Sequence, residues 1–522
     1  MIVDDLTAER IGLVWLRTAL APVGAFGRRF DESVAPYGPG DEARATAEIA
    51  DVVALSEQLG PDAVTRLRTA LRAVPEVTPI VARARAGDAL GDVDFYELGR
   101  FVDALDALAR AWDGAGGSPE RRPPVLNALR DVLAPGRDGA EFYLDASYGP
   151  GLRDARAAFA DAEAAVDARR EIVAARVRDT LGTDPVGDEF VVLRDVYDGP
   201  PPEGVRVVRE TPTYRVLALS VVSPERDAAL ARLAEEEESA RRALADRVAR
   251  EAETMVAATR ALGALDRVLA RVAFAQRWGA TMPMLGAGGI AFSGATFAPL
   301  ADALAARGRR YTPLALELRG VAVLTGPNMG GKSAALATAA FLCACVALGV
   351  PPPAAAASLP LLDTIAWIGG DGPAERARLL SSYAAEVVRA QEVLATASAR
   401  ALVLVDEFAR TTGPREGRAL LIAFVEALRE QRALAIVATH FDGVPDRAGV
   451  PHLRIAGVRR GALAAIRADD LDAALDAINA AMDYRIVDAG EADGVSDAVA
   501  LAGLLGLDGA VVERARRLYD DL

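Results

Sequence analysis

The stretch "VAVLTGPNMGGKSAALATAAF" (residues 321–341) decides the reading of this chain. An apolar run comes first, a glycine-rich turn follows, and a helix-forming run begins at once. "GPNMGGKS" (326–333) fits G-x-x-x-x-G-K-[ST], and strand before with helix after is the context in which that pattern cradles phosphate. Gly326, Gly330 and Gly331 let backbone N–H groups turn inward, and the helix N-terminus adds partial positive charge. Lys332 is the only lysine among 59 basic residues. A compact ammonium on a flexible stem can follow such a loop to the β- and γ-phosphates, where a planar guanidinium cannot. ATP is therefore the expected ligand, with Ser333 on Mg2+.

Two further apolar runs end in polar residues. "ALVLVDEFARTT" (401–412) closes a strand with two carboxylates, which are costly at a buried strand end without a cation. Asp406 is expected to bind Mg2+ and Glu407 to orient or deprotonate the attacking water. The run ending in "AIVATH" stops at His440, one of two histidines, placed to sense a γ-phosphate. His452 has no such context and receives no role. Lys332, Glu407 and His440 are thus the catalytic candidates.

The bulk numbers fit this picture. A chain of 522 residues holds two or more domains. Its formal charge of −15 repels phosphate backbones on average. No apolar run is long enough to span a membrane. The N-terminus lacks a signal-peptide pattern, so a cytoplasmic location is expected. Cys343 and Cys345 stand two apart in a helical stretch, a spacing that suits neither a disulfide nor a metal site; they read as small core residues.

Residues 1–183 read as a helical core that ends in a long helix from Leu152 to Leu181, with Leu152, Phe159, Val166 and Val173 seven apart. Residues 184–222 carry three strand-like runs, a small β tip with seven acids against four arginines. Residues 223–278 read as a returning helix, Ser223 its N-cap and Pro224 in its first turn, with Gly263 as a break point. Residues 279–522 alternate buried strands ("LALEL", "VAVLTG", "ALVLVDE", "ALAIVATH") with helices. They are an α/β domain with a largely parallel sheet and two C-terminal helices. The fold class is multidomain: an all-α core with a helical arm and a small β tip, then an α/β P-loop nucleotide-binding domain.

With these residues in hand, the C-terminal half resembles the MutS family of ABC-type ATPases. "LTGPNMGGKS", "SSYAAEV" (381–387), "VLVDEFARTT" and "ATHF" follow that family's order and spacing. The resemblance implies a composite site at a dimer interface, in a homodimer or a heterodimer with a related subunit. Each subunit supplies Gly326, Pro327, Asn328, Met329, Gly330, Gly331, Lys332 and Ser333, with Asp406 and Glu407. Its partner supplies Ser381 or Ser382 toward the γ-phosphate. Thr411 replaces the family's usual glycine, and Glu416 its usual aspartate.

"DFYEL" (94–98) imitates the Phe-x-Glu wedge of the family's mismatch readers. Asp94 as a helix cap, with Phe95, Leu98, Val102 and Leu105 as a buried stripe, explains the same residues better. "MDYRIV…GVSDAVALAGLLGLDGAVVERA" looks most like the short branch that reactivates adenosylcobalamin-dependent lysine or ornithine aminomutases. That likeness implies a protein client remodelled by an ATP cycle. The alternative is a DNA-binding member acting on mispaired or branched duplex DNA.

Overall fold

The computed structural model describes residues 2–139, 141–187, 189–327, 330–369, 382–410, 412–458, 477–478, 480–491 and 498–520. Packing divides the chain into two compact units: Met1–Arg72, Ala111–Arg122 and Leu262–Leu522 form one, and Ala73–Arg110 with Pro123–Ala261 form the other.

The first unit opens with α1 (Asp5–Arg10), α2 (Leu13–Ala19), α3 (Ala25–Glu32), α4 (Glu42–Gln58) and α5 (Pro61–Arg72). The second contains α6 (Thr78–Ala86), most of α7 (Asp92–Gly114) and α8 (Asn127–Leu133). A two-residue ladder of β1 (Arg137–Asp138) and β2 (Glu141–Phe142) leads to α9 (Leu152–Leu181). In α7 the Asp94 carboxylate accepts the Gly91 N–H at 2.8 Å from inside the first turn. It is therefore not the N-cap expected of it, but a residue reaching back to an orphan donor. Phe95, Leu98, Val102 and Leu105 are fully buried, and the Phe95 ring lies 5.4 Å from that of Phe142. That is core packing, as the periodicity required.

The tip is a three-stranded antiparallel sheet in the order β3 (Glu189–Leu193), β5 (Tyr214–Leu219), β4 (Val205–Glu210). Its inner face, Phe190, Val192, Val205 and Leu217, packs on Val177 and Leu181 of α9. Helix α10 (Pro224–Ala249) starts as its sequence dictates, with Ser223 Oγ accepting the Arg226 N–H at 3.2 Å and Pro224 in the first turn. It then packs along α9.

The returning helix breaks elsewhere than expected. α10 stops at Ala249, and α11 (Ala252–Trp278) runs unbroken through Gly263. The glycine serves packing instead. A Cβ there would lie 2.7 Å from Phe30 Cβ and 2.8 Å from the Phe26 carbonyl of α3, so only a bare Cα lets the two helices approach.

The rest of the first unit holds two sheets. β6 (Met284–Leu285), β7 (Ile290–Ala295), β8 (Leu314–Leu318) and β10 (Ala356–Leu359) form the smaller one in the order β6-β10-β7-β8, antiparallel except at β6–β10. "LALEL", expected in the parallel sheet, is β8 of this sheet. Its burial alternates residue by residue, which is the mark of a strand covered on one face. Helix α12 (Ala298–Ala305) lies in the connection from β7 to β8.

The larger sheet contains β9 (Val321–Thr325), β11 (Thr364–Ile368), β12 (Ala401–Asp406), β13 (Leu434–Ala438), β14 (His452–Val458) and β15 (Met482–Asp488). Its order is β11-β12-β13-β9-β14-β15, parallel throughout except for β15. The helices here are α13 (Lys332–Ala347), α14 (Ser382–Thr396), α15 (Pro414–Glu430), α16 (Val444–Ala448), α17 (Ala498–Leu504) and α18 (Gly509–Asp520). The last two are the C-terminal pair expected.

α13 is buried almost all round, which its alanines and cysteines permit. Cys343 and Cys345 are free and buried, and burial raises the Cys343 thiol to about 12. Ile11, Leu13, Leu16 and Leu20, in and just after the opening helices, share this core with Phe341 and Leu342. Ile2 forms a parallel bridge with Thr364, its N–H donating to the Asp363 carbonyl at 2.6 Å, so the N-terminal segment lies along the β11 edge. Among the described residues no helix is long and apolar enough to cross a membrane.

Candidate nucleotide site at the carboxyl edge of the parallel sheet

β9, β12 and β13 are parallel neighbours, so their carboxyl ends meet at one edge: Leu324 lies beside Ala438, and Ala438 beside Asp406. Every strand residue before that edge is apolar and buried. The polar groups that follow are therefore brought together.

From β9 the chain turns at Gly326, whose φ of 155° sets its bare Cα against β14; a Cβ there would sit 3.0 Å from Ile455 Cβ. Gly330 donates its N–H to the Pro327 carbonyl at 3.0 Å. Gly331, at φ 88°, is the N-cap of α13, a left-handed geometry that favours glycine. Asn328 and Met329 lie outside the described residues.

Lys332 is only 6% exposed. Its Nζ donates to the carbonyls of Gly326 at 3.1 Å and Pro327 at 3.3 Å, and stands 3.1 Å from His440 Nε2 and 3.9 Å from Glu407 Oε1. Burial pulls its ammonium below the usual lysine range, against the opposing pull of Glu407 and Asp406.

Ser333 Oγ donates to Asp406 Oδ2 at 2.7 Å. Burial raises the Asp406 carboxyl above its ordinary value; the Ser333 hydrogen bond opposes this, the charge of Glu407 adds to it and Lys332 counters it. Two oxygen donors in contact at a helix start form a donor set suited to a hard divalent cation.

His440 Nε2 lies 2.6 Å from Glu407 Oε1, and Arg410 Nη1 donates to Glu407 Oε2 at 3.1 Å. One ring nitrogen thus faces both an ammonium and a carboxylate. Unprotonated it accepts from Lys332; protonated it donates to Glu407.

The backbone that presents Glu407 is strained. Glu407 and Ala409 both sit at φ 61°, where non-glycine residues are rare. Neighbouring groups hold them there: the Glu407 N–H donates to the Ala438 carbonyl at 3.0 Å, and the Ala409 N–H to Glu386 Oε2 of α14 at 3.0 Å. Phe408 between them is buried, with its ring 5.5 Å from that of Phe424.

Ser382 is the first residue of α14. Ser381 lies outside the described residues, as does Thr411.

Sequence reasoning missed several contributors. His452, given no role, has Nε2 at 2.8 Å from Thr325 Oγ1, directly before Gly326. β14 starts beside Val323, which places its first residue at the mouth of the loop. Tyr484 of β15 lies against Gly331, its Cδ1 3.2 Å from where a Cβ would be. Glu386 and Arg410 stand within "SSYAAEV" and "VLVDEFARTT", where no local signal marks their contacts. The rarity of histidine was the one signal that could have found His452.

A family model described as MutS domain V matches residues 322–522. The DNA mismatch repair protein MutS of Caulobacter sp. (strain K31) is 30% identical over 512 residues, covering 87% of this chain and 54% of that protein. The protein of that name from Thermus aquaticus is 28% identical over 535 residues, covering 97% and 58%. Endonuclease MutS2 of Anaeromyxobacter sp. (strain Fw109-5) is 33% identical over 218 residues, covering 41% and 25%. The chain spans about half the length of the MutS proteins it matches along most of its own. Family model and relatives together support membership of the MutS family, with residues 322–522 matching that family's domain V.

Proposed function

We propose that the chain is a Mg-dependent ATPase whose ATP-driven closing against a second subunit does work on a client. One observation carries the reading: Lys332, Ser333, Asp406, Glu407 and His440 gather at one sheet edge within hydrogen-bonding or ion-pairing reach of one another. Lys332 would exchange the loop carbonyls for the β- and γ-phosphates, which are better partners for a buried ammonium. Ser333 and Asp406 would hold Mg2+, which when bound neutralises phosphate charge. Glu407 would orient the attacking water, steadied by His440 and Arg410. Ser381 or Ser382 would act in trans. Residues 1–183, 184–222 and 223–278 would serve as core, clamp-like tip and returning lever to the ATPase at 279–522.

Two client readings each rest on one observation. Duplex DNA is favoured by the names of relatives that align along most of the chain. A protein client, such as an adenosylcobalamin-dependent aminomutase, is favoured by the acidic tip. There Arg194 and Arg215 are already engaged by Asp198 and Glu210, which leaves few cations for phosphates.

Steady-state phosphate release tests the ATPase reading. Glu407→Gln should slow it about 10²–10⁴-fold while ATP still binds, and equal rates would remove Glu407 from its role. Mobility shift on homoduplex, mismatched and four-way DNA at two salt concentrations separates the clients. Submicromolar, salt-steep binding favours DNA, and its absence favours a protein.

A further inference from the structure

Away from the nucleotide site, a cavity of about 530 Å³ opens between α5 and the last turns of α11. Val23, Val64 and Ala273 supply apolar wall. In a chain of formal charge −15, the cavity is lined by three arginines, Arg68, Arg72 and Arg277, and by no carboxylate.

Their partners set the three apart. Arg277 is paired with Asp302. Arg68 gives one Nη2 hydrogen bond to the Ala21 carbonyl at 3.3 Å, while its Nε is buried without a partner. Arg72, at the exposed end of α5, has no ion-pair partner among the described residues. Arg68 and Arg72 stand four apart on one helix, so their charges share a face and repel. Burial pulls the Arg68 guanidinium below its usual range; Asp266 opposes this and Arg72 adds to it. Asp266 cannot turn to them freely, because its oxygens accept the Val23 N–H at 3.1 Å and the Gly24 N–H at 2.7 Å.

The neutral donors are also spent. Thr65 and Thr69 donate their hydroxyls to the carbonyls of Pro61 and Thr65, each at 2.9 Å. The Gln276 amide donates to the Ser56 and Leu59 carbonyls at 3.1 and 2.6 Å. The guanidiniums are what remains to bind, and a tetrahedral dianion between two of them turns repulsion into paired charge-assisted hydrogen bonds. The volume lies within the range of small-molecule sites.

We propose that this cavity binds a small phosphomonoester, its phosphate bridged by Arg68 and Arg72 and its compact apolar body resting on Val23, Val64 and Ala273. The site shares no residue with the nucleotide loop.

Calorimetric titration of phenyl phosphate into Lys332→Ala protein tests the site with the loop's own phosphate grip removed. One saturable site is expected, weakened at least tenfold when Arg72→Gln is added. Arg72 is exposed, so this change should leave the melting temperature in place. Inorganic phosphate should bind more weakly than phenyl phosphate, and phthalate at least tenfold more weakly. Absence of saturable binding, or binding untouched by Arg72→Gln, overturns the site. Phthalate binding as tightly as phenyl phosphate overturns the assignment of a phosphate.

Discussion

Strand β12 buries Ala401 through Val405 and reaches water only at Asp406, whereas β3 alternates, with Phe190 and Val192 inside and Glu189, Val191 and Leu193 outside. The two strands belong to sheets covered differently. A sheet packed on both faces has no place for charge along its strands, so polar atoms collect at strand ends. That is how Lys332, Ser333, Asp406, Glu407 and His440 come to one edge. A sheet packed on one face carries charge along its whole length and can neutralise it locally. In the tip Arg215 pairs with Glu210 at 2.8 Å and Asp198 at 3.2 Å, and Arg194 with Asp198 at 2.7 Å. One sheet concentrates its charged groups under strain, where they can do chemistry; the other disperses them.

The largest effect is expected at the buried strand. Leu404 is fully buried, and Leu404→Ala should cost about 2–5 kcal/mol, read as a lowered urea midpoint with unchanged slope. A cost near zero would mean that β12 is not packed on both faces.

A smaller effect, of opposite sign, is expected at the strand's end. Burial raises the Asp406 carboxyl above its unfolded value near 3.8, so the folded protein holds this proton to higher pH than the unfolded chain. The group's contribution to stability is present in full below that unfolded value. It is lost as pH rises through the folded one. Asp406→Asn should therefore raise the melting temperature at pH 8, by an amount that shrinks toward pH 4, while abolishing hydrolysis. A melting temperature lowered at pH 8 would show that the edge is not strained by its carboxylate.

The least effect belongs to the tip. Val191 is 55% exposed, and Val191→Thr should change stability by no more than about 0.5 kcal/mol. A larger loss would show that its outer face is covered.

The sequence made some of this legible, for reasons of distance along the chain. The loop at 326–333, the acids ending β12 and the three tip strands are patterns within a dozen residues, and each was readable. The pairing of His452 with Thr325 spans 127 positions, and no local signal announces it. The bridge from Ile2 to Thr364, and the shared core of the opening helices with α13, depend likewise on tertiary packing. Gly263 misled because glycine in a helix signals either a break or a close approach, and only the neighbouring α3 decides between them. β8 misled because a five-residue strand, here with Glu317 inside it, does not reveal which sheet it joins.

The lone lysine, Lys332, is proposed to hold the terminal phosphates of a nucleotide. Isothermal titration of Mg-ATP into the wild-type chain and into Lys332→Ala tests it most directly. One saturable site per chain is expected in the wild type, with at least a tenfold loss of affinity in the variant. Equal affinity in the two proteins, or no saturable binding in either, would contradict it.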